Sequence, residues 1–140
     1  MPDSWRERGS NMEKHYSTAI DVRFSDFDLF GHVNSAVYFT YLETARIKLF
    51  TDVFRELTAK GIYIVVGKAE CEYKAPIVLT DVIAVTLWVS RVGNASFDLS
   101  YKIHNNEGKV FALAKTTMVC FDTSSGKTVA VPDQLKNLAQ

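Results

Sequence analysis

The sequence predicts an α+β fold in which a five-stranded antiparallel sheet wraps around one long central helix. One long stretch has a helical period, and five stretches alternate between apolar and polar residues. Short polar turns separate most of the alternating stretches, and strands joined by short turns run antiparallel. One sheet and one helix can bury their apolar faces only against each other, so we expect the sheet to curl around the helix.

The composition fits one globular domain without nucleic-acid or membrane partners. The chain has 140 residues, of which 47% are hydrophobic, and its 16 basic and 16 acidic side chains cancel. No basic excess indicates nucleic-acid binding, and the apolar runs are too short to span a membrane. Residues 1–16 are polar and aperiodic, so we predict a flexible segment or cloning remnant there and a single domain at 17–140.

The first elements are a strand, a loop and the helix. Apolar and polar residues alternate over residues 20–24, which predicts a half-buried strand, and residues 25–31 form a loop. Asn34 and Ser35 are good N-cap residues, and the helix is expected to end near Gly61. One helix face carries the predicted buried residues Tyr38, Leu42, Ala45, Leu49 and Val53. The flank beside it carries Phe39, Glu43, Arg46, Phe50 and Phe54.

The remainder of the chain predicts four strands in a meander. Alternation marks residues 68–75, 82–92, 97–103 and 110–121, and a short helix is expected after Pro132. Cys71 and Cys120 lie within these strands, where buried reduced thiols are expected rather than a disulfide. Reduced thiols favour a cytoplasmic location. The two cysteines and three histidines have no metal-ligand spacing, so no metal site is predicted.

The segment at residues 26–39, Asp-Phe-Asp-Leu-Phe-Gly-His-Val-Asn-Ser-Ala-Val-Tyr-Phe, carries a resemblance to a known family. It is similar to the opening motif of hotdog-fold acyl-CoA thioesterases of the 4-hydroxybenzoyl-CoA thioesterase type. Glu43 and Arg46 match the Glu-x-x-Arg pair that follows in the family's helix, and residues 73–76 with Asp81 match a later strand-turn-strand segment. Ser35 departs from the family, where many members have Asn or Tyr.

The resemblance covers roughly residues 17–135 and implies a hotdog fold and hydrolysis of acyl-CoA thioesters. It also implies a homodimer or homotetramer with sites between subunits, and no cofactor beyond the coenzyme A of the substrate. Asp28 corresponds to the family's catalytic carboxylate, which attacks the thioester carbon or activates a water. The alternative for Asp28 is a structural Asx turn or helix cap, and Asp26 is expected to order the loop.

The other predicted catalytic groups surround the start of the helix. The backbone N–H of Ser35, with the helix dipole, is predicted to stabilise the carboxylate and the oxyanion. His32 is expected to position the acid, contact the thioester or fix the loop, and Asn34 to cap the helix or orient Asp28.

The predicted substrate-binding residues are Gly31, Val33, Tyr38 and Glu43. Gly31 is expected to adopt a positive φ or to allow close approach of a ligand. Tyr38 is also a simple core candidate. Glu43 with Arg46 forms either a surface pair or a wall of the acyl pocket or subunit interface.

The predicted function is therefore acyl-CoA hydrolysis to free acid and coenzyme A. Two alternatives stay open at this point. One is a non-catalytic module that binds acyl-CoA or an acyl-carrier protein. The other is a hotdog hydratase or dehydratase, although those relatives usually carry a histidine and an acid in different motifs.

Overall fold

The computed structural model describes residues 13–140, so residues 1–12 of the predicted N-terminal segment lie outside the described part. Its main elements are β1 (Tyr16–Ile20), α1 (Val37–Ala59), β2 (Ile62–Tyr73), β3 (Ile83–Val92), β4 (Ser96–His104), β5 (Val110–Asp122) and α2 (Asp133–Lys136). Single 3₁₀ turns occur at Phe24–Asp26 and Asn137–Ala139. The five strands form one antiparallel sheet around α1, which confirms the predicted fold class.

The order of the strands in the sheet differs from the predicted meander. The order is β1-β3-β4-β5-β2, so only β3, β4 and β5 follow one another as neighbours. β2 pairs along its length with β5 rather than with β3. The connection between β2 and β3 contains Pro76 and a turn in which the Val78 N–H donates to the Asp81 carboxylate at 2.8 Å. This connection crosses the sheet, and it leaves β1 and β2 as the two edge strands.

The first strand lies at residues 16–20, so it shares only Ile20 with the strand predicted at residues 20–24 and includes Tyr16 of the segment predicted to be flexible. β1 stops at Ile20, and Phe24 is 83% exposed at the start of a 3₁₀ turn. The Arg23 N–H and guanidinium both donate to the Asp26 carboxylate at 2.9–3.2 Å. These bonds stabilise a local turn over three residues, and the turn replaces the predicted continuation of the strand.

The helix has the predicted bounds but changes its buried face midway. Phe50 has non-helical angles (φ −120°, ψ 21°), and the Thr51 hydroxyl donates to the Ile47 carbonyl one turn earlier. Such back-bonding by a threonine bends helices. The buried set is Tyr38, Tyr41, Leu42, Ala45, Arg46, Phe50 and Leu57. The predicted face at Leu49 and Val53 is only half-buried, because the bend rotates the second half of the helix.

The core lies between α1 and the concave face of the sheet. Alternate residues of β3 to β5 point into it, among them Val85, Leu87, Leu99, Tyr101 and Ile103. Arg46 is also buried on this side of α1, with 8% of its surface exposed, and the Tyr101 hydroxyl shares a hydrogen bond with the Thr116 hydroxyl at 2.7 Å. Of the alternatives left open for Glu43 and Arg46, a plain surface pair does not fit, because Arg46 is buried although Glu43 is exposed.

The edge strand β2 is longer and more exposed than predicted. Residues 62–67 extend it beyond the predicted start, and Tyr63, Val65 and Val66 are among its exposed apolar side chains. Cys71 of this strand and Cys120 of β5 are both free, as expected. Cys120 is buried and Cys71 half-buried, and burial raises the pKa of each thiol to about 11.

Candidate active site

The loop between β1 and α1 folds back on itself around Asp28. Phe27 and Val33 form an isolated antiparallel bridge, and the Asp28 N–H donates to the His32 carbonyl at 2.8 Å. Gly31 closes the turn by donating its N–H to the Asp28 carbonyl at 3.1 Å. Its φ of +76° confirms the predicted left-handed conformation, which glycine adopts without a steric cost.

Asp26 anchors this loop from below. The side chain is 2% exposed and accepts hydrogen bonds from Arg23 and from the Tyr41 hydroxyl at 2.8 Å. Burial alone would raise the pKa of this carboxyl, but the hydrogen bonds from Arg23 and Tyr41 outweigh it and hold the pKa below its usual value. The backbone carbonyl of Asp26 accepts the Asn34 N–H at 2.9 Å. Asp26 therefore orders the loop, as predicted.

The Asp28 carboxylate is exposed, and backbone groups of its own loop fix one of its oxygens. Oδ1 accepts the N–H of Phe30 at 2.9 Å and the N–H of His32 at 3.2 Å. Oδ2 accepts no hydrogen bond from any residue in the described range 13–140. The expectation that helix amides hold this carboxylate is wrong in this detail, because Gly31 turns the chain so that nearer loop amides reach Oδ1.

The regular helix starts one residue later than a cap at Ser35 would give. The regular helix begins at Val37, with Ala36 at its boundary. The Asn34 side chain accepts the Ala36 N–H at 2.9 Å, and the Asn34 carbonyl accepts the Val37 N–H at 2.9 Å. Asn34 thus caps the turn that leads into the helix, in the manner of an N-cap. The Ser35 N–H has no acceptor within the described part of the chain, while the Ser35 carbonyl accepts the Tyr73 hydroxyl at 2.7 Å.

Asp28 and the start of the helix line one groove of about 430 Å³. This volume lies within the usual range for small-molecule sites. The lining residues are Asp28, His32, Val33, Asn34, Ser35, Tyr38, Tyr73, Lys74, Ala75 and Pro76. The groove therefore brings together a carboxylate oxygen and a backbone N–H that have no hydrogen-bond partner among residues 13–140. Attack on a carbonyl requires this pair of groups.

Aromatic side chains form the floor and one wall of the groove. Tyr38 is buried, and its ring meets the Tyr73 ring edge to face at 4.8 Å between centroids. Burial raises the pKa of the Tyr38 hydroxyl. The buried Val33 donates its N–H to the Ile77 carbonyl at 3.0 Å. Tyr38 and Val33 are thus both core residues and residues of the groove.

Two predicted substrate-binding residues do not line this groove. Gly31 lies in the turn behind it. Glu43 faces two other cavities, of about 420 and 250 Å³, between α1 and β2. Its side chain is 61% exposed and lies 3.8 Å from the guanidinium of the buried Arg46. Their substrate-binding roles stay predictions.

Tyr73 and Lys74 also line the groove, but no sequence pattern predicts them as site residues. In the sequence, residues 73–76 only resemble a strand-turn-strand segment of the family, and the alternation predicts a strand at Tyr73. The hydroxyl of Tyr73 reaches Ser35 because β2 ends beside the helix start. That proximity depends on the pairing of β2 with β5, which has no local signal.

Neither a metal-binding cluster nor a membrane-spanning helix is present in residues 13–140. No group of three histidine, cysteine, aspartate or glutamate side chains there is arranged to hold a metal ion. The helices in the same range are too short or too polar to cross a bilayer.

Comparisons with known proteins agree on one family. The model of the thioesterase-like superfamily matches residues 22–138. The long-chain acyl-CoA thioesterase FadM of Escherichia coli (strain K12) is 35% identical over 122 residues, covering 85% of this chain and 92% of FadM.

The similar solved structures include thioesterases as well. YbaW, a probable thioesterase from Escherichia coli, has 34% identity and a TM-score of 0.80, covering 87% of this chain and 94% of that one. A thioesterase from Thermus thermophilus, complexed with coenzyme A and Zn, has 29% identity and a TM-score of 0.76. It covers 88% of this chain and 90% of its own.

Proposed function

The chain belongs to the thioesterase-like superfamily and is a thioester hydrolase, and from this premise we propose that its substrates are acyl-CoA thioesters. The products are the free carboxylic acid and coenzyme A. The observation that carries this proposal is the groove in which the unbonded Oδ2 of Asp28 and the Ser35 N–H occur together. The coenzyme A bound to the Thermus thermophilus relative supports the same substrate class.

In the proposed reaction, Asp28 acts on the thioester carbonyl carbon. Its carboxylate either bonds to that carbon directly or removes a proton from the water that does so. The carbonyl electron pair moves to oxygen, and the Ser35 N–H donates to this oxyanion. When the carbonyl re-forms, the C–S bond breaks and its electron pair leaves on sulfur, which takes up a proton. In the direct route, water then hydrolyses the acyl-aspartyl anhydride.

The proposed roles of His32 and Asn34 are to position these two groups. His32 holds Asp28 through its backbone, since its N–H donates to Oδ1 at 3.2 Å and its carbonyl accepts the Asp28 N–H at 2.8 Å. Its imidazole borders the groove, where it can contact the thioester. Asn34 orders the turn that contains the Ser35 N–H by accepting the Ala36 N–H at 2.9 Å.

The proposed substrate contacts divide between two places. Val33 and Tyr38 form the inner surface of the groove, and Gly31 shapes the loop behind it. Glu43 lies along α1 beside the cavities next to β2, which have mostly apolar walls that include Phe54, Ile64 and Met118. We assign these cavities to the acyl chain. No cofactor is proposed beyond the coenzyme A that enters with the substrate.

The proposed assembly is a homodimer or homotetramer. β2 is an edge strand with unpaired backbone groups on one side, and proteins usually cover such edges. Its exposed apolar side chains include Tyr63, Val65 and Val66. The proposed location is the cytoplasm, because Cys71 and Cys120 are free thiols. No nucleic-acid partner is proposed, since the chain carries no net charge.

The test of this function is release of free thiol from a panel of acyl-CoAs with short, long, branched and aromatic acyl groups. We expect catalytic release from at least one of them, detected with a thiol reagent. Binding of an acyl-CoA, measured by calorimetry, without thiol release over hours would contradict hydrolysis and favour a non-catalytic binding module.

A further inference from the structure

A second cavity, of about 740 Å³, lies on the face of the sheet that points away from α1. Thr86, Lys102 and Leu113 are directly opposite one another on β3, β4 and β5, and they line it. Their sequence neighbours, such as Val85, Ile103 and Ala112, belong to the core. Because side chains alternate along a strand, the row of three faces the opposite side.

The walls of this cavity carry one sign of charge. Lys74, Lys102 and Lys109 line it, and none of the acidic residues within 13–140 does. The chain as a whole has no net charge, so this local excess is not a consequence of composition. Lys74 is held at the rim by an ion pair with Glu72 at 2.5 Å, whereas Lys102 makes no ion pair with a described residue. Three ammonium groups around a concave wall fit a ligand with several phosphate charges.

An aromatic pair adds a second recognition element. The His15 ring stacks on the Trp88 ring, with centroids 4.5 Å apart and planes within 18°. Burial and the nearby Lys102 lower the pKa of His15, which favours the neutral ring. Trp88 is buried while His15 is exposed, so a flat base can stack on the outer side of the pair.

This cavity adjoins the groove that contains Asp28. Lys74 lines both of them. Tyr73, the residue before it, turns to the groove and bonds Ser35, so only the end of β2 separates the two spaces. A ligand with an anionic nucleotide at one end and a thioester at the other can occupy both by crossing this strand end.

We propose that the cavity binds the 3′-phosphorylated adenosine diphosphate end of coenzyme A, while the pantetheine arm crosses the end of β2 into the groove. This inference rests on the proposed function and extends it to the part of the substrate that does not react. The concave shape and the stacked pair favour a nucleotide over an acidic acyl-carrier protein, which would need an open basic surface.

The experiment compares Lys102→Gln combined with Lys109→Gln against a control that combines Lys60→Gln with Lys127→Gln. The control removes the same charge from exposed positions that do not line the cavity. Calorimetry measures binding of adenosine 3′,5′-bisphosphate, a readout that does not depend on hydrolysis. Kinetics give the ratio of kcat/KM for an acyl-CoA to kcat/KM for the same acyl-pantetheine, which lacks the nucleotide.

We expect the double variant in the cavity to lose roughly tenfold or more in nucleotide affinity, because each lysine supplies a charge-assisted bond. The kcat/KM ratio should fall by a similar factor, and the control should match the wild type. Unchanged nucleotide affinity in the double variant would overturn the inference. Lost affinity with an unchanged kcat/KM ratio would also overturn it, because the cavity would then bind a nucleotide other than the one that belongs to the substrate. If the wild type hydrolyses neither substrate, the proposed function fails, and calorimetry alone decides whether the cavity binds the nucleotide.

Discussion

The Tyr73 hydroxyl donates a 2.7 Å hydrogen bond to the Ser35 carbonyl and so ties the end of β2 to the turn that begins α1. The same turn carries the Ser35 N–H, which has no acceptor in the described part of the chain. The position of the proposed oxyanion donor therefore depends on a strand that is distant in sequence.

Replacing this hydroxyl tests the dependence. Tyr73→Phe removes one hydrogen bond, worth about 0.5–1.5 kcal/mol. We expect kcat/KM for an acyl-CoA to fall roughly two- to tenfold. The matched control is Tyr16→Phe, which also removes one tyrosine hydroxyl bond to a backbone carbonyl, that of Leu138 at 3.0 Å, outside the groove. Equal rates for the two variants would contradict a positioning role for Tyr73.

The buried pair of Tyr41 and Asp26 is expected to support the loop. Tyr41→Phe leaves a buried carboxylate oxygen with one donor fewer, at a cost of about 1–3 kcal/mol in the free energy of unfolding. Urea titration at pH 7 measures this loss. Phe27→Leu changes packing at a half-buried residue of the same loop without removing a hydrogen bond. Its loss in the free energy of unfolding shows how much a packing change alone costs. If Tyr41→Phe is as stable as the wild type, the hydrogen bond between Tyr41 and Asp26 does not support the fold.

The same carboxyl predicts how stability depends on pH. The pKa of Asp26 is lower in the folded than in the unfolded state, so the unfolded chain binds the proton more readily. The stability it contributes is present above the ordinary aspartate pKa of about 4 and is lost as pH falls through the lower folded value. We expect urea midpoints to decline below about pH 5, with a smaller decline in Tyr41→Phe. Identical declines of the urea midpoint in the wild type and in Tyr41→Phe would contradict the assignment of this pH dependence to Asp26.

The exposed edge of β2 predicts self-association. Val65→Glu places a charge among its exposed apolar side chains, so we expect a dimer or tetramer to dissociate to monomers. Light scattering coupled to size exclusion gives the mass. Val92→Glu is the control, because Val92 is equally exposed at the end of β3, away from that edge. A wild-type monomer, or an unchanged mass for Val65→Glu, would contradict assembly through β2.

Much of the fold was predictable because its signals are local. The helix has a continuous apolar period, the β3–β5 strands alternate, and Gly61 ends the helix with a positive φ. The pairing of β2 with β5 has no such signal, because it joins strands far apart in the chain. Residues 62–66 escape prediction for another reason: four of the five are aliphatic, so they lack the alternation that marks a half-buried strand.

The residues of the candidate site could be predicted from the sequence, but the hydrogen bonds between them could not. The motif identified Asp28, Asn34 and Ser35, which line one groove. The donors to the Asp28 carboxylate depend on the turn at Gly31, which brings the amides of Phe30 and His32 within hydrogen-bond distance of Oδ1. Residue identity alone does not give that turn geometry.

The most direct test of the account is the turnover of Asp28→Asn on its best acyl-CoA. The asparagine Oδ1 can still accept the Phe30 and His32 N–H groups, so the loop should keep its shape while the carboxylate is lost. Asp52→Asn, at an exposed position on α1, is the matched control. We predict that kcat falls roughly 100- to 10,000-fold for Asp28→Asn, with the urea midpoint and the affinity for coenzyme A unchanged. If Asp28→Asn turns over as fast as Asp52→Asn, the carboxylate at position 28 is not the catalytic group.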